Sequence, residues 1–575
     1  MKKLFGYLRD YKKECVLGPL FKLLEAAFEL LVPLVMAAII DNGIGGGDRA
    51  LVLRLGGVLA GLGLVGLASS VTAQYFAAKA AVGFAASLRH ALFGKIQSLS
   101  FDALDSLGGD TLITRMTSDI NQVQTGVNLA LRLLLRSPFI VFGAMIMALT
   151  IHLRAALIFA AAIAALGLVV FGIMLWSIPR YRTVQRNLDA VLGITRENLA
   201  GVRVLRAFNK QADEVRQFDA RNQKLTRFSL FVGRISALMN PLTYVLINLA
   251  LVVLIQTGAV QVHLGVLTQG QVVALVNYMS QILVELVKMA NLIITITRAW
   301  ACGNRVQQLL EVPPASGGSG TAEAGAAPAV AFEHVCLTYP NAGGESLSDI
   351  SFTVPRGSVF GIIGGTGSGK SSLVSLIPGF YKPTGGQVRV NGLKTTDWSD
   401  AALRSRIGMV PQKALLFRGT IRENLLWGNP GATEAQLRRA LAVSQSEEFV
   451  DQKELGLETP VEQGGRNLSG GQRQRLTIAR AVVREPEILI LDDSASALDF
   501  ATDAKLRKAL RTLQNTTVFI VSQRTSSIRF ADQILVLEDG RAAGLGTHGE
   551  LLERCPVYRE IYDSQYQKEA AGHEA

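Results

Sequence analysis

The chain has 575 residues, so it is too long for a single ordinary domain. It is 49% hydrophobic and 18% charged, and its formal net charge is +12. This balance excludes a purely soluble protein and one that lies wholly within a membrane, and it predicts a membrane domain joined to a soluble one. The four cysteines are far apart and form no CxxC pair, so neither a disulfide framework nor a zinc site is indicated.

The N-terminal sequence MKKLFGYLRDYKKE combines apolar and basic residues. Because no small-residue cleavage site follows a short apolar core, we predict no removable signal peptide. Leu4, Phe5, Tyr7 and Leu8 lie among Lys and Arg, which predicts an amphipathic helix on the cytoplasmic membrane surface.

Six apolar segments follow, and a helix needs about 20 such residues to cross the hydrocarbon core of a bilayer. Three of them contain no Asp, Glu, Lys or Arg, and the other three carry a few charges. They predict an all-α transmembrane domain over residues 1–312. In chain order the predicted spans are residues 16–40, 55–78, 126–150, 155–178, 235–262 and 271–297.

The connections between these spans differ in charge. Residues 179–234 hold twelve Lys and Arg, whereas 41–54, 151–154 and 263–270 together contain three Arg. The positive-inside rule therefore places both termini in the cytoplasm. Much of the net charge is explained in this way, without nucleic acid as a partner.

The inward connections also predict helices that extend beyond the membrane. Residues 51–99 contain no proline, and as one helix they would be about 73 Å long, against a hydrocarbon core about 30 Å thick. We expect the helices to continue into the cytoplasm and to turn near residues 118–123 and 206–216. Short helices at these turns, near Asp119 and Phe208, could act on a soluble domain.

Polar side chains at membrane depth form two stripes at helical spacing. Charged residues inside spans usually face a cavity or a partner, so these side chains are candidates for a substrate cavity. The alternative is an internal Glu–Lys pair that only fixes helix packing, and the sequence leaves both open. The stripes are Glu25 and Glu29 in the first span, and Asn277, Gln281, Glu285 and Lys288 in the sixth.

Residues 313–329, PPASGGSGTAEAGAAPA, change abruptly to Pro, Gly, Ser and Ala and predict a flexible linker. Residues 330–565 are typical of a soluble α/β domain, and 566–575 are a polar tail.

The predicted strand at 358–363 runs into GGTGSGKSS, which matches the phosphate-binding pattern G-x-x-x-x-G-K-[ST]. In this pattern glycine backbone N–H groups surround the phosphates, the lysine adds a positive charge, and the following hydroxyl can hold Mg²⁺. A helix should follow, with its N-terminus toward the phosphates. The candidate residues are Gly364, Gly365, Thr366, Gly367, Ser368, Gly369, Lys370, Ser371 and Ser372.

A second apolar strand, residues 488–491, leads to Asp492. An acid at the end of a buried strand is placed to hold Mg²⁺, directly or through water. The alternative is an acid that caps the next turn, and the phosphate-binding loop favours the metal.

Four further motifs resemble those of the ABC transporter superfamily. LSGGQ resembles the signature, Gln412 in VPQ the Q-loop, SALD the D-loop, and Tyr339 the aromatic residue that stacks on adenine. The cytoplasmic stretches at 101–124 and 197–210 resemble those of type I exporters (the type IV fold). The resemblance covers nearly the whole chain and implies six transmembrane helices followed by a P-loop nucleotide-binding domain that uses ATP and Mg²⁺. The motif residues are Leu468, Ser469, Gly470, Gly471 and Gln472 in the signature and Ser496, Ala497, Leu498 and Asp499 in the D-loop, with Gln412 expected at the metal.

Two positions depart from the family pattern. Hydrolytically competent members carry Glu after the strand-end Asp, where this chain has Asp493, and a switch His, where it has Gln523. Asp is shorter by one methylene, and Gln cannot become cationic or relay a proton. The stretch PVEQGGRN before the signature also departs from the commoner family sequence, because Glu462 lies one position early.

These departures resemble the degenerate-site subunit of bacterial heterodimeric multidrug exporters. In this family each ATP lies between one chain's P-loop and its partner's signature, so a homodimer would have no competent site. The resemblance implies a multi-pass cell-membrane protein with a cytoplasmic nucleotide-binding domain and a second half-transporter as partner. The expected cargo is an amphipathic drug or lipid, and the intramembrane acids favour a cationic one.

Two other functions remain as alternatives. A regulatory or channel-like ABC protein would use ATP as a ligand without pumping, and the degenerate site favours keeping this possibility. A soluble ATPase acting on nucleic acid is disfavoured by the spans and by the lack of a basic patch interleaved with aromatics.

Overall fold

The computed structural model describes residues 3–315, 317–321, 325–340, 342–494, 498–513 and 515–572, with side chains through Gln565. The chain divides into two compact units. The first, called here the membrane unit, comprises Met1–Gln97 and Asp110–Val312, and the second, the nucleotide unit, comprises Ser98–Gly109 and Pro313–Ala575. The short segment at 98–109 was expected in the transmembrane domain but belongs to the second unit.

Helices account for the regular structure of the membrane unit. Short 3-10 or π-helical stretches at Leu4–Tyr11, Ile39–Ile44 and Arg115–Asp119 join onto the α-helices. The α-helices between residues 12 and 311 are α1 (Lys12–Ala38), α2 (Arg49–Gln97), α3 (Phe101–Leu107), α4 (Gly109–Thr114), α5 (Ile120–Leu133), α6 (Arg136–Ile151), α7 (Leu153–Ala200), α8 (Val202–Ala207), α9 (Gln211–Ala237), α10 (Met239–His263) and α11 (Gln269–Glu311). Of these, α3 belongs to the nucleotide unit.

Six continuous helical stretches among the described residues are long and apolar enough to cross a membrane. They run for 41 to 53 residues, or about 60–80 Å at 1.5 Å per residue, so each extends well beyond bilayer thickness. Each of the six predicted spans lies inside a different stretch, which confirms the number of spans and the long extensions. The stretches are Leu4–Ile44, Arg49–Gln97, Gly109–Ile151, Leu153–Ala200, Gln211–His263 and Gln269–Glu311.

The prediction of a turn at 118–123 was wrong. The chain turns earlier, where α2 ends and the Ser100 side chain caps α3 by accepting from the Ala103 N–H at 3.3 Å. The polar residues near 118 lie in a continuous helix because their polarity is satisfied there: the buried Asp119 accepts from Arg305 Nε at 2.9 Å. The polar residues near 118 therefore indicated a side-chain partner in another helix rather than a turn.

The second predicted turn, at 206–216, was misplaced toward the C-terminus. The break begins at Gly201, continues through α8, and ends at Lys210, because α9 already begins at Gln211. The acidic residues Asp213 and Glu214 lie in the first turn of α9, where they complement the positive end of the helix dipole.

The described residues of the nucleotide unit form three sheets. A six-stranded sheet has the order β12-β11-β3-β10-β9-β6, and its neighbours are parallel except at the β11–β12 edge. A four-stranded antiparallel sheet has the order β2-β1-β4-β5, and β7 pairs with β8. The strands are β1 (Val330–Leu337), β2 (Leu347–Val354), β3 (Val359–Gly364), β4 (Gly385–Val390), β5 (Leu393–Lys394), β6 (Ile407–Val410), β7 (Gly419–Thr420), β8 (Pro460–Val461), β9 (Ile488–Asp492), β10 (Thr517–Val521), β11 (Gln533–Glu538) and β12 (Arg541–Gly546).

The six-stranded sheet is buried on both faces, as the continuous apolar sequences of its central strands require. Successive side chains of a strand point to opposite faces, so Leu489 and Leu491 of β9 join one apolar cluster and Ile488 and Ile490 join the other. The helices of this unit are α12 (Lys370–Ser375), α13 (Asp400–Ser405), α14 (Ile421–Leu426), α15 (Glu434–Val443), α16 (Glu447–Asp451), α17 (Gly470–Val482), α18 (Phe500–Leu510), α19 (His548–Arg554) and α20 (Pro556–Gly572).

Two boundary predictions need correction. The predicted flexible linker is partly docked on the nucleotide unit: the Gly320 N–H donates to the Asp397 carbonyl at 2.9 Å, and Ser399 N–H donates to Gly320 O at 2.9 Å. A Cβ on Gly318 would lie 2.0 Å from the same Asp397 carbonyl, so glycine there permits a close backbone approach rather than flexibility. The predicted polar tail begins as the last turns of α20, which extends to Gly572.

Candidate functional site

The loop after β3 wraps around the Lys370 side chain. Gly367 and Gly369 adopt positive φ angles of 84° and 93°, a region that glycine enters without steric cost. Lys370 begins α12, and its ammonium donates to the carbonyls of Gly364 at 2.9 Å and Gly365 at 2.5 Å. Burial lowers the pKa of Lys370, against the opposing effect of nearby carboxylates. The lysine is therefore held at the mouth of a backbone cradle of the kind that binds phosphate.

Asp492 lies at the end of β9, beside this loop. The Ser371 hydroxyl donates to Asp492 Oδ1 at 3.0 Å, so a hydroxyl and a carboxylate converge on one point. Burial raises the pKa of Asp492, with a further contribution from Asp493 and opposition from Ser371 and Lys370. Hard oxygen donors of this kind fit Mg²⁺, which binds proteins through one or two such groups and completes its shell with water and phosphate.

The two substituted positions lie at the same edge of the sheet. Val521 of β10 pairs with Asp492 of β9 in parallel register, so Asp493 follows one strand end and Gln523 follows its neighbour. Asp493 has a positive φ of 47°, and its N–H donates to Val521 O at 3.1 Å. The Gln412 amide approaches Asp493 Oδ2 at 3.4 Å. The structure thus brings the Q-loop residue, Asp493 and the ends of both strands together.

Tyr339 contacts the first turn of α12. Its hydroxyl donates to Ser372 Oγ at 3.1 Å, and its ring meets Tyr381 edge-on with centroids 5.0 Å apart. Tyr381 in turn donates to Asp105 of α3. The aromatic ring is therefore fixed beside the start of α12.

The signature residues begin α17. The Ser469 side chain accepts from the Gln472 N–H at 3.3 Å, while Gln472 Oε1 accepts from the Ser469 N–H at 3.0 Å. This reciprocal capping box fixes the start of the helix and leaves Ser469 and Gly470 exposed. Leu468 packs into the apolar cluster on one face of the large sheet, whereas Leu373 of α12 packs into the cluster on the other face.

Of the D-loop, Ser496 and Ala497 lie outside the described residues. Leu498 is buried, and the Asp499 side chain caps α18 by accepting from the Thr502 N–H at 2.8 Å. The hydrogen bonds from Thr502 lower the pKa of Asp499.

In the membrane unit, the polar stripes meet a residue that the sequence reasoning did not single out. Arg136 of α6 donates to Glu285 at 2.5 Å and to Glu29 at 2.6 Å. Glu285 also accepts from Ser137 at 2.7 Å and from Lys288 at 2.9 Å. The side chains of Arg136 and Glu285 are 7% and 3% exposed, whereas that of Glu29 is 41% exposed.

The remaining members of the stripes are not part of this charge set. Glu25 pairs with Lys22 at 2.5 Å. Asn277 is exposed, and Gln281 is half-buried with a buried Oε1 for which the described structure shows no hydrogen-bond partner. The acids thus form ion pairs within this unit, as the packing alternative expects. Of the two carboxylates that contact Arg136, that of Glu29 is the more exposed.

Comparison with known proteins identifies the family. The family model for the ABC transporter transmembrane region matches residues 15–286, and the model for the ABC transporter matches residues 347–496. An uncharacterized ABC transporter ATP-binding protein of Bacillus subtilis is 35% identical over 571 residues, covering 99% of this chain and 100% of that protein. The chain belongs to the ABC transporter family.

Further relatives of this ABC transporter agree. An uncharacterized ABC transporter ATP-binding protein of Mycobacterium tuberculosis is 36% identical over 568 residues, covering 97% of each chain. An ATP-dependent lipid A-core flippase of Chromohalobacter salexigens is 30% identical over 572 residues, covering 99% of this chain and 98% of the flippase. A solved bacterial Atm1-family ABC exporter with ATP bound superposes with a TM-score of 0.80 at 24% identity, covering 96% of this chain and 98% of that one.

These matches confirm the resemblance to the ABC transporter superfamily and the fold class. The transporter is a multi-pass membrane protein with six membrane-spanning helices followed by an α/β nucleotide-binding domain of the ABC exporter fold. Two of its site contacts escaped the sequence reasoning. Arg136, one of two arginines in the predicted third span, was a usable signal for the membrane charge set. No motif marked Gln565, whose side-chain amide donates to the Gln523 carbonyl at 2.8 Å.

Proposed function

We propose that this transporter is one subunit of an ATP-driven heterodimeric exporter. It binds ATP at its own degenerate site, turns it over slowly if at all, and supplies an intact signature to the catalytic site of a partner half-transporter. The observation that carries this proposal is the pair Asp493 and Gln523, which occupy adjacent strand ends at one edge of one nucleotide site.

The binding half of the site supports tight ATP binding. Lys370, the glycine loop and Tyr339 supply positive charge, backbone N–H groups and an aromatic face. Ser371 and Asp492 supply oxygen ligands for the Mg²⁺ that accompanies ATP, with Gln412 nearby. Mg²⁺ neutralises phosphate charge when bound, and the chain's own part is to place these ligands beside the phosphate loop.

The catalytic half of the site supports slow turnover. The Asp493 carboxylate lies about 1.5 Å short of the reach of a glutamate, and a misplacement near 1 Å can cost about a hundredfold in rate. Gln523 can donate one hydrogen bond to a γ-phosphate but cannot carry a proton. Together these side chains bind and orient without activating water.

The placement of the signature supports a role toward a second chain. Leu468 and Leu373 belong to clusters on opposite faces of the large sheet, so Ser469 and Gly470 are presented away from the α12 face. Their exposure in this single chain is what a partner-facing element requires.

The cargo we propose is an amphipathic compound, either a drug or a lipid, moved out of a bacterial cytoplasm. The naming of relatives as lipid flippases supports this class. The basic residues between spans four and five support cytoplasmic termini and a cytoplasmic nucleotide-binding domain. Among Glu25, Glu29 and Glu285, the half-exposed Glu29 is the best candidate for contact with a cationic group.

The test is the ATPase rate of the purified full chain in lipid nanodiscs, alone and with the partner that co-purifies and is identified by mass. We expect the chain alone to hydrolyse ATP no faster than its Lys370→Ala variant, although it binds ATP. The reconstituted pair should hydrolyse ATP and lose activity when Ser469 or Gly470 is altered. Brisk hydrolysis by the chain alone that depends on Lys370 would refute the heterodimer.

The degenerate site also favours the second candidate, an ATP-gated regulator without pumping. Inverted vesicles that contain the complete complex distinguish the two. Cargo uptake that requires hydrolysis supports the exporter, whereas ATP-dependent conductance without uptake supports the regulator.

A further inference from the structure

The C-terminal helix α20 holds the backbone around Gln523. Gln565 Oε1 accepts from the Thr525 N–H at 2.9 Å and from the Thr525 hydroxyl at 2.8 Å. Gln565 Nε2 donates to the Gln523 carbonyl at 2.8 Å. One amide side chain therefore makes three hydrogen bonds to two residues, Gln523 and Thr525, of the segment that follows β10.

The position of Gln565 is set by the packing of its helix. Tyr558 of α20 is fully buried in the apolar cluster that also contains Ile528, and its hydroxyl bonds to His548 Nδ1 at 2.8 Å. Gln565 lies seven residues after Tyr558, about two helical turns, so both side chains share one face of α20. Anchoring Tyr558 thus directs Gln565 toward the 523–525 segment.

A separate set of contacts holds the residues just beyond. Arg507 of α18 donates to the Ser526 carbonyl, and the Ser527 hydroxyl donates to the buried Asp503 at 3.3 Å. Loss of Gln565 should therefore release the Gln523 carbonyl, while the Thr525 carbonyl still accepts from the Arg529 N–H at 2.9 Å and α18 still holds Ser526 and Ser527. The Gln523 side chain itself is exposed, so its direction depends on this backbone.

We infer that Gln565 is a positioning residue that fixes Gln523, so that the C-terminal helix controls how well this site distinguishes ATP from ADP. The inference rests on the proposed function, because it requires Gln523 to face the γ-phosphate, which ADP lacks. A donor held in place before the nucleotide arrives loses less entropy on binding than a mobile one. The clamp therefore strengthens ATP binding and leaves ADP binding unchanged.

The experiment measures equilibrium dissociation constants of radiolabelled ATP and ADP for the full chain in nanodiscs. Gln565→Ala should weaken ATP binding about three- to tenfold, which corresponds to the net contribution of about one hydrogen bond. ADP binding should change less than twofold. Gln565→Glu keeps the two acceptor contacts to Thr525 but cannot donate to the Gln523 carbonyl, so its effect should be intermediate. Ser564→Ala, which alters the preceding residue of α20, is the matched control and should change neither constant.

A double variant separates positioning from general damage to the domain. Gln523→Ala should weaken ATP binding, and Gln565→Ala should add nothing in that background, because the two residues act through one contact. Equal weakening of ATP and ADP, or a full effect of Gln565→Ala in the Gln523→Ala background, would overturn the inference. Lys370→Ala tests the proposed nucleotide site independently of Gln565. If this variant still bound ATP, the proposed site itself would be rejected.

Discussion

Two sets of buried charge in this transporter differ in what completes them. In the membrane unit, Arg136 and Glu285 are neutralised by each other and by Glu29 and Lys288. In the nucleotide unit, Lys370 is held by backbone carbonyls and Asp492 by one hydroxyl. The first set is neutralised by side chains of the protein itself, whereas the second is left to be completed by a ligand.

The pKa shifts of the nucleotide site agree with this difference. Burial lowers the pKa of Lys370 and raises that of Asp492, so in both cases the charged form is disfavoured before ligand binding. A phosphate and a divalent cation would reverse both effects. In the nucleotide unit, incomplete charge in a buried place therefore indicates a ligand site.

The largest effect is expected in the membrane unit. Glu285→Gln removes the carboxylate that three donors share and leaves Arg136 with Glu29 as its counter-charge. Breaking a buried ion pair from one side costs about 3–5 kcal/mol. The free energy of unfolding of the full chain, measured in lipid, should fall accordingly. The control is Glu14→Gln, which breaks the ion pair of Glu14 with the half-exposed Lys79. An unchanged stability would mean that this charge set is solvated in the membrane.

The next largest effect is expected at the phosphate loop. Lys370→Ala should weaken ATP binding by roughly a hundredfold or more, because it removes the point charge that a P-loop directs at the phosphates. The thermal stability of the unliganded chain should not fall, since within the described residues the buried ammonium donates to two backbone carbonyls and the Ser368 hydroxyl rather than to a carboxylate. Lys505→Ala, on the exposed side of α18, serves as the control. Retained ATP affinity would contradict the assignment of the loop.

A smaller effect with an informative sign is expected for Asp492→Asn. Because the folded-state pKa of Asp492 is raised, its contribution to stability is present below the unfolded pKa near 4 and is lost as pH rises through the folded value. Asparagine mimics the protonated form, so the unliganded variant should unfold a few degrees higher at neutral pH. Its stabilisation by ATP with Mg²⁺ should be lost. A lower melting temperature without ligand would contradict the sign.

The smallest effect is expected for Glu29→Gln. Its carboxylate is 41% exposed, so its loss should cost at most about 1 kcal/mol of stability, well below the effect of Glu285→Gln. Transport of cationic amphiphiles by the complete complex should nevertheless decrease, while neutral cargo is unaffected. Unchanged transport of every cationic compound would exclude Glu29 from the cargo path.

Contiguous patterns in the sequence were enough to predict much of the fold. Six apolar runs predicted six spans, since a run of about 20 apolar residues has few other stable environments. The prediction of a turn at 118–123 was wrong because a run of polar residues near 118 is also typical of a turn, and only the partner of the buried Asp119 distinguishes the two. That partner, Arg305, lies 186 residues away in sequence.

The sequence by itself determined the family, the order of the two domains and the position of each nucleotide motif, because each of these depends on residues that are near neighbours along the chain. The tertiary structure decided which charges are paired and which backbone segments are held. Glu29 and Glu285 meet Arg136 from 107 and 149 residues away, and Gln565 reaches Gln523 across 42. Such contacts form only when separate helices and strands pack together, so no local pattern records them.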